Sequence, residues 1–211
     1  MNKNLTEIVF ILDRSGSMAH LEEDTIGGYN SLIKKQLNEE GEASVTTVLF
    51  DDKFEIIHDN VDIKKVKPLT DKEYFARGTT ALLDAVGKII SYVGNRHKTA
   101  PESVVPHKTL VVIITDGYEN ASCEYNLKQI KAIIERQKEN YNWEFLFLGA
   151  NIDAIATAGD IGITPDFAAT YQADSVGTQM NFSAVDCAVS SLRASRPITK
   201  KWKEEIEKRS K

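Results

Sequence analysis

The stretch Ile8-Val9-Phe10-Ile11-Leu12-Asp13-Arg14-Ser15-Gly16-Ser17 joins an unbroken apolar run to a short polar segment. The apolar part has the length of a β-strand and is far too short to span a bilayer. A strand that is apolar at consecutive positions is buried on both faces, which is typical of a parallel sheet covered by helices on both sides. The polar residues 13–17 therefore stand at the carboxyl end of a buried strand.

Further strands and helices alternate along the chain. Short apolar runs at 45–50, 54–58, 110–114, 143–148 and 167–171 predict five more strands. The connection between 50 and 54 is so short that it predicts an antiparallel hairpin. Apolar residues at three- and four-residue spacing predict helices around Ile26, Tyr29, Leu32 and Leu37, around Leu82, Val86, Ile89 and Val93, around Leu127, Ile130 and Ile134, and around Phe182, Val185, Val189 and Leu192. This alternation indicates an α/β fold with a mostly parallel sheet and one antiparallel strand.

The composition fits one globular domain. The chain has 211 residues, of which 42% are hydrophobic, so it can form a substantial core. We expect a single domain over 1–199 and a charged, solvated tail over 200–211, where basic residues alternate with glutamates. The net charge of −5 gives no electrostatic support for nucleic-acid binding, and no apolar stretch predicts a membrane span.

The cysteines and the first strand bear on the cellular compartment. Cys123 and Cys187 lack CxxC spacing and are interpreted as buried thiols in a reducing compartment. The apolar run near the N-terminus is too short for the core of a secretion signal. We therefore expect a cytoplasmic protein, in which Asn-x-Ser/Thr matches such as Asn120-Ala121-Ser122 have no role in glycosylation.

Three polar segments are expected to meet at one edge of the sheet. Residues 13–17 follow the first strand, Thr115-Asp116-Gly117 follows the 110–114 strand, and Arg77-Gly78-Thr79-Thr80 precedes the second long helix. In an open parallel sheet, ligands bind beyond the carboxyl ends of the strands, where the strand order reverses. The nearby acidic residues Asp51, Asp52, Asp84 and Glu119 are interpreted as turn, cap or surface residues.

The ligands that these segments offer are all oxygen atoms. Ser15, Ser17 and Thr79 supply hydroxyls, and Asp13 and Asp116 supply carboxylates. An all-oxygen set suits a hard cation, with Mg²⁺ as the first choice and Mn²⁺ or Ca²⁺ as alternatives. Each segment alone has an ordinary explanation, because Gly-Ser and Asp-Gly occur in turns and threonine is a favoured helix N-cap. The metal-site prediction therefore rests on the three segments together.

The combination of Asp-x-Ser-x-Ser, a separate threonine and a Thr-Asp-Gly after a buried strand resembles the metal-ion-dependent adhesion site (MIDAS) of von Willebrand factor A (vWA) domains. The resemblance covers residues 5 to 195 and is to intracellular bacterial members. It implies a doubly wound three-layer sandwich with a six-stranded sheet in the order 3-2-1-4-5-6. It also implies that the two serines and Thr79 reach the metal, while the two aspartates act directly or through water. Thr80 is the alternative to Thr79, which is preferred because it directly follows Gly78.

The resemblance implies an interaction module whose metal ion is completed by an Asp or Glu of a protein partner. Bacterial relatives suggest an AAA-type ATPase or a stress-response component as that partner. Arg14 and Met18 flank the site, where they touch the partner, lie in solvent or pack within the domain. The competing hypothesis is a metal-dependent phosphohydrolase, but phosphatases of the haloacid dehalogenase type need a second carboxylate where Ser15 stands. No P-loop and no dinucleotide-binding glycine pattern occurs in the sequence, so we expect no catalytic activity.

Overall fold

The strands form one six-stranded sheet in the computed structural model, which describes residues 1–209. The strands are β1 (Asn2–Asp13), β2 (Glu42–Phe50), β3 (Phe54–Asp62), β4 (Pro106–Thr115), β5 (Trp143–Ala150) and β6 (Ala168–Tyr171). Their order is β3-β2-β1-β4-β5-β6, and every neighbouring pair is parallel except the antiparallel β2 and β3. The predicted order and the predicted hairpin are both confirmed.

Helices connect the strands at nearly every crossover. The α-helices of the described residues are α1 (Glu22–Gln36), α2 (Leu82–Thr99), α3 (Leu127–Tyr141), α4 (Ala154–Asp160), α5 (Ser175–Arg193) and α6 (Glu204–Arg209). Short 3₁₀ turns cover Gly16–Leu21, Ile63–Lys65, Pro165–Phe167 and Lys200–Lys203. None of the helices within residues 1–209 combines the length and apolar character that a membrane span requires.

The sheet separates two apolar cores, as its consecutive apolar residues predict. In β1, Ile8, Phe10 and Leu12 belong to the core that α1, α5 and α6 cover. Val9 and Ile11 alternate with them and belong to the opposite core, beneath α2, α3 and α4. Side chains of a strand alternate between the two faces, so a strand with helices on both sides is apolar throughout. The result is the predicted three-layer α/β sandwich.

The strand order reverses between β1 and β4. From β1 the chain passes to β2 on one side of the sheet, and it later returns to β4 on the other side. Leu12 pairs with Ile114 in this parallel contact, so both strands end at the same edge. This edge is the crevice in which open α/β sheets bind ligands.

The segment from Lys200 onward differs from the predicted solvated tail. Trp202 and Ile206 are buried in the core beside α5, and the Trp202 indole N–H donates to the Asp166 carbonyl at 2.9 Å. The Lys203 ammonium donates to two backbone carbonyls, at Pro165 and Ala168. The sequence does not predict this contact, because only two apolar residues stand among the charged residues of the segment.

The prediction of buried thiols is wrong for both cysteines. Cys123 lies in the loop before α3 and Cys187 lies on α5, and both are exposed and unpaired. Cys187 occupies the outer side of α5, whose inner side is formed by Val185, Ala188 and Val189. A cysteine is small enough for either face of a helix, so its apolar character alone does not predict burial.

Candidate metal centre

The loop after β1 is folded by the carboxylate of Asp13. One Asp13 oxygen accepts a hydrogen bond from the Ser15 N–H at 2.7 Å, and the other accepts from the Thr115 hydroxyl at 2.5 Å. The Tyr74 hydroxyl donates to the Asp13 carbonyl and holds the same turn from outside the sheet. Asp13 and Ser15 are each 1% exposed. The motif therefore begins with a fixed, buried carboxylate at the end of the central strand.

The two serines of the motif lie side by side. Ser15 is the N-cap of the turn Gly16–Leu21, but its side chain makes no capping hydrogen bond. Instead, Ser15 Oγ lies 3.1 Å from Ser17 Oγ, and Ser17 Oγ donates to Asp116 Oδ1 at 2.5 Å. Ser17 is exposed, so the cluster opens to solvent on its side. These contacts bring the loop after β1 to the loop after β4, as predicted.

Asp116 has an oxygen that the protein does not satisfy. Asp116 is 2% exposed, and its Oδ2 has no hydrogen-bond partner among the described residues. A buried carboxylate oxygen without a donor costs free energy, because it has lost its water without replacement. A hard cation among the hydroxyls of Ser15 and Ser17 would satisfy it, so this donor set fits a divalent metal.

The two threonines of the second segment have different environments. Thr79 is exposed, and its hydroxyl takes part in no described hydrogen bond. Thr80 is 3% exposed. A Cβ placed on Gly117 would lie 3.3 Å from Thr80 Oγ1 and 3.4 Å from Ser17 Oγ, so both hydroxyls border the same space. The structure thus brings Thr80, rather than Thr79, to the cluster.

Neither threonine caps the following helix. The N-cap of α2 is Ala81, and Gly78 has a φ of +66° in the turn before it. Because the chain turns between Gly78 and Ala81, the inward position falls on the second threonine. The sequence shows two adjacent threonines and does not show which of them faces inward.

The electrostatics of the cluster favour a bound cation. Burial raises the pKa of Asp13 to about 6, against opposing hydrogen bonds from Thr115 and Ser15, and the neighbouring Asp116 adds to the increase. Burial also raises the pKa of Asp116. Within residues 1–209, no three His, Cys, Asp or Glu side chains form a metal-binding group. The candidate centre therefore depends on hydroxyls for most of its ligands.

Arg14 and Met18 pack within the domain. Each is 1% exposed. Arg14 points away from the cluster, donating to Asp51 at 3.0 Å, to Glu55 at 2.8 Å and to the Glu73 carbonyl. Met18 lies in the core beneath α1.

The acidic residues near the site have different roles. Asp84 accepts from the backbone N–H groups of residues 123–125, and Glu119 accepts from the Leu83 N–H, as expected for capping residues. Asp51 has the predicted turn role, since its Oδ1 accepts from the Lys53 N–H at 2.6 Å, but it is also fully buried beneath two arginines. Sequence patterns gave no sign of this, since nothing in the stretch around Asp51 shows that two distant arginines converge there.

Two exposed aromatic side chains and one histidine lie within three residues of side chains that form or contact the cluster. Tyr118, two residues after Asp116, is 65% exposed, and Phe75 is 39% exposed. The ring nitrogens of His20 lie 3.0 Å from the Ser17 carbonyl oxygen and 3.1 Å from the Ala173 carbonyl oxygen. The ring of His20 is thus directed at backbone oxygens and not at the serine hydroxyls.

Comparison with known proteins identifies the fold of the chain. No protein-family model matches the chain, and no curated protein matches it by sequence. Among solved structures, proximal thread matrix protein 1 from the mussel byssus, described with a zinc-occupied MIDAS motif, matches with a TM-score of 0.61 at 15% identity. A von Willebrand factor type A protein from Catenulispora acidiphila matches with a TM-score of 0.58 at 14% identity. The chain has a vWA fold.

The vWA match extends over nearly the whole chain. The mussel and Catenulispora structures cover 89% and 90% of this chain, which spans 46% and 43% of theirs. BatB from Bacteroides thetaiotaomicron matches 90% of this chain and 99% of its own, with a TM-score of 0.54 at 13% identity. The chain thus spans less than half of the first two proteins. At these identities the likeness establishes the vWA fold alone.

Proposed function

We propose that the chain is a divalent-metal-dependent protein-binding module. Ser15, Ser17 and Thr80 hold the ion with their hydroxyls, and Asp13 and Asp116 hold it directly or through water. Thr80 is proposed as the ligand in place of the predicted Thr79. The observation that supports the proposal best is the unpartnered, buried Asp116 Oδ2 beside the two serine hydroxyls, at the switch point of a vWA fold.

The chemistry of the ligands favours Mg²⁺, with Mn²⁺ and Ca²⁺ as alternatives. A bound ion supplies a position that prefers an anionic oxygen, because neutral hydroxyls leave much of its charge uncompensated. The carboxylate of an Asp or Glu in a partner is such a ligand. Ser17 is exposed, so this position is accessible from solvent.

The surface beside the site suits contact with a protein. Tyr118 and Phe75 expose aromatic surface, and we propose that they pack against the residues that flank the partner's acidic side chain. Aromatic residues are enriched at protein interfaces, because they bury a large area at low cost in conformational entropy. We therefore propose that these two side chains contribute affinity without contributing to metal binding.

We propose a binding role and not an enzymatic one. Ser15 stands where a phosphohydrolase would need its second carboxylate, and the nearby His20 is directed at carbonyl oxygens. The proposed location is the cytoplasm, because the exposed, unpaired Cys123 and Cys187 suit a reducing compartment. An AAA-type ATPase or a stress-response component remains the proposed class of partner.

The proposal is tested by affinity capture from bacterial lysate in Mg²⁺ or in chelator, with captured proteins identified by mass spectrometry. The bait is the wild-type chain, and the matched control is Ser17→Ala, which removes one hydroxyl from the exposed side of the site. The expected result is a partner retained by the wild type in Mg²⁺ only. Tyr118→Ala is expected to lose the partner while it still binds the metal.

Two results would contradict the proposal. Retention of the same proteins in chelator and by Ser17→Ala would show that binding does not use the metal site. Metal-dependent hydrolysis of para-nitrophenyl phosphate by the wild type, absent in Asp13→Ala, would favour the phosphohydrolase hypothesis instead.

A further inference from the structure

We infer that Asp51 and Asn120 are positioning residues that hold residues 77–81 so that the Thr80 hydroxyl faces the metal site before an ion binds. The inference rests on the proposed metal site. Thr80 belongs to residues 66–81, which connect the 3₁₀ turn Ile63–Lys65 to α2 and contain no helix or strand. A segment without regular structure needs contacts from outside to fix one of its side chains.

Asp51 holds the segment from the side of β1 and β2. Its Oδ2 accepts from Arg77 Nε at 2.7 Å and from Arg14 Nε at 3.0 Å, so one buried oxygen joins the second loop to the first. The Asp51 carbonyl accepts from the Ala81 N–H at 3.0 Å. Burial alone would raise the pKa of Asp51, but hydrogen bonds from Arg77, the Lys53 N–H and Arg14 bring it below its ordinary value. Asp51 therefore remains ionised and contacts both ends of the segment.

Backbone contacts with the serine loop reinforce this attachment. The Arg77 N–H donates to the Arg14 carbonyl at 2.8 Å, and the Gly16 N–H donates to the Gly78 carbonyl at 3.2 Å. Gly78 has a positive φ, and a Cβ there would lie 2.1 Å from an oxygen of Asp52. The positive φ favours glycine at this position, and a side chain there would also displace the Asp52 carboxylate.

Asn120 holds Thr80 itself from the side of β4. The side-chain oxygen of Asn120 accepts from the Thr80 N–H at 2.9 Å, and the backbone N–H of Asn120 donates to the Thr80 carbonyl at 3.0 Å. Both backbone groups of Thr80 are thus bound by one residue. Asn120 lies four positions after Asp116, so the same loop carries a proposed metal ligand and fixes another one.

The rest of this loop is attached to the start of α2. The Leu83 N–H donates to Glu119 and the Asp84 N–H donates to Ser122, so the loop supplies caps that Ala81 does not. Consequently the loop after β4 and the N-terminus of α2 behave as one unit. Ser122 makes the same kind of contact as Asn120, but it does not touch Thr80, which makes it a matched control.

The experiment measures the dissociation constant for Mg²⁺ by calorimetry and the melting temperature in chelator. Asn120→Ala is expected to weaken Mg²⁺ binding on the order of tenfold, as is usual for residues that orient metal ligands. Asn120→Asp keeps the acceptor for the Thr80 N–H and is expected to retain binding. Ser122→Ala is expected to lower the melting temperature as much as Asn120→Ala does, with little change in the dissociation constant.

A second pair of variants tests the role of Asp51 through Arg77, its partially exposed partner. Asp51 itself is not replaced, because loss of this buried carboxylate endangers folding. Arg77→Met removes the donor to Asp51 and keeps an apolar side chain over Phe75, whose centroid lies 4.9 Å from the Arg77 guanidinium carbon. It is expected to weaken Mg²⁺ binding severalfold. Glu55→Gln removes a charge that pairs with Arg14, while Glu55 makes no described hydrogen bond to residues 77–81, and this variant is expected to leave binding nearly unchanged.

Different outcomes separate the two proposals. If the wild type binds none of Mg²⁺, Mn²⁺ or Ca²⁺, the metal site itself is wrong. If the wild type binds and Asn120→Ala and Arg77→Met bind as tightly as their controls do, only the positioning role is overturned. The same holds if Asn120→Asp fails to restore binding.

Discussion

The Ser17 hydroxyl donates to Asp116 Oδ1 across 99 positions of sequence. This hydrogen bond joins the loop after β1 to the loop after β4, at the point where the sheet reverses its strand order. It uses the proton of Ser17 and leaves the lone pairs of its oxygen available. The contact is thus compatible with Ser17 as a metal ligand. Because Oδ1 is held by Ser17, the orientation of the unpartnered Asp116 Oδ2 is also fixed.

Asp13→Asn is expected to stabilise the metal-free protein at neutral pH. The pKa of Asp13 is about 6 in the fold, above the ordinary value of 3.8, so folding favours the protonated form. The stability that this group contributes is complete below pH 3.8 and is lost as the pH rises through 6. Asparagine resembles the protonated form, so the variant should match the wild type near pH 4 and exceed it by up to about 3 kcal/mol at pH 7.5.

Urea unfolding in chelator at several pH values measures this difference. Glu7 and Asp51 have lowered pKa values, so their contribution to stability increases with pH, opposite to that of Asp13. The difference in unfolding free energy between variant and wild type is therefore informative, whereas the pH dependence of the wild type alone is not. A difference that stays constant from pH 4 to pH 7.5 would contradict the assignment. Saturating Mg²⁺ is expected to reverse the order by stabilising only the wild type strongly.

The two adjacent glycines of α1 are expected to respond oppositely to alanine. A Cβ on Gly28 would lie 2.2 Å from the ring of Phe182, which is buried on α5, whereas a Cβ on Gly27 would meet nothing within 4 Å. Gly27→Ala should stabilise the protein by about 0.5–1 kcal/mol through helix propensity. Gly28→Ala should destabilise it by about 1–3 kcal/mol through overpacking. Equal effects in urea unfolding would show that α1 and α5 are not in close contact.

Trp202→Ala tests whether the C-terminal segment belongs to the folded core. Trp202 is 6% exposed and its indole is hydrogen bonded, so its loss should cost about 3–5 kcal/mol of unfolding free energy. Lys201→Ala, at the exposed neighbouring position, should have little effect. If the two variants melt at the same temperature, the segment is a solvated tail, as the sequence suggested.

The fold could be predicted from the sequence because its signals are continuous. The consecutive apolar residues of 8–12 and 110–114 require helices on both faces, and the short connection after Phe50 requires a hairpin. Such patterns reflect the burial of whole elements, which local sequence determines. The vWA resemblance then supplied the strand order, which periodicity alone does not contain.

The details of the site could be predicted only in part. The convergence of Asp13, Ser15, Ser17 and Asp116 could be predicted because they stand at the carboxyl ends of neighbouring parallel strands, which share one edge of the sheet. Thr80 and Thr79 differ by one residue in an irregular segment, where the turn at Gly78 decides which hydroxyl faces inward. The contributions of Asp51 and Asn120 depend on contacts with distant loops, so no local pattern reveals them.

The most direct test of the central claim is calorimetric titration of the metal-free protein with Mg²⁺, comparing wild type, Thr80→Val and Thr79→Val. Valine keeps the branched shape of threonine and removes only the hydroxyl. The wild type and Thr79→Val are expected to bind one ion with equal affinity, and Thr80→Val is expected to bind at least tenfold more weakly, which corresponds to about 1.4 kcal/mol. Equal binding by all three proteins, or loss only in Thr79→Val, would contradict the site as described.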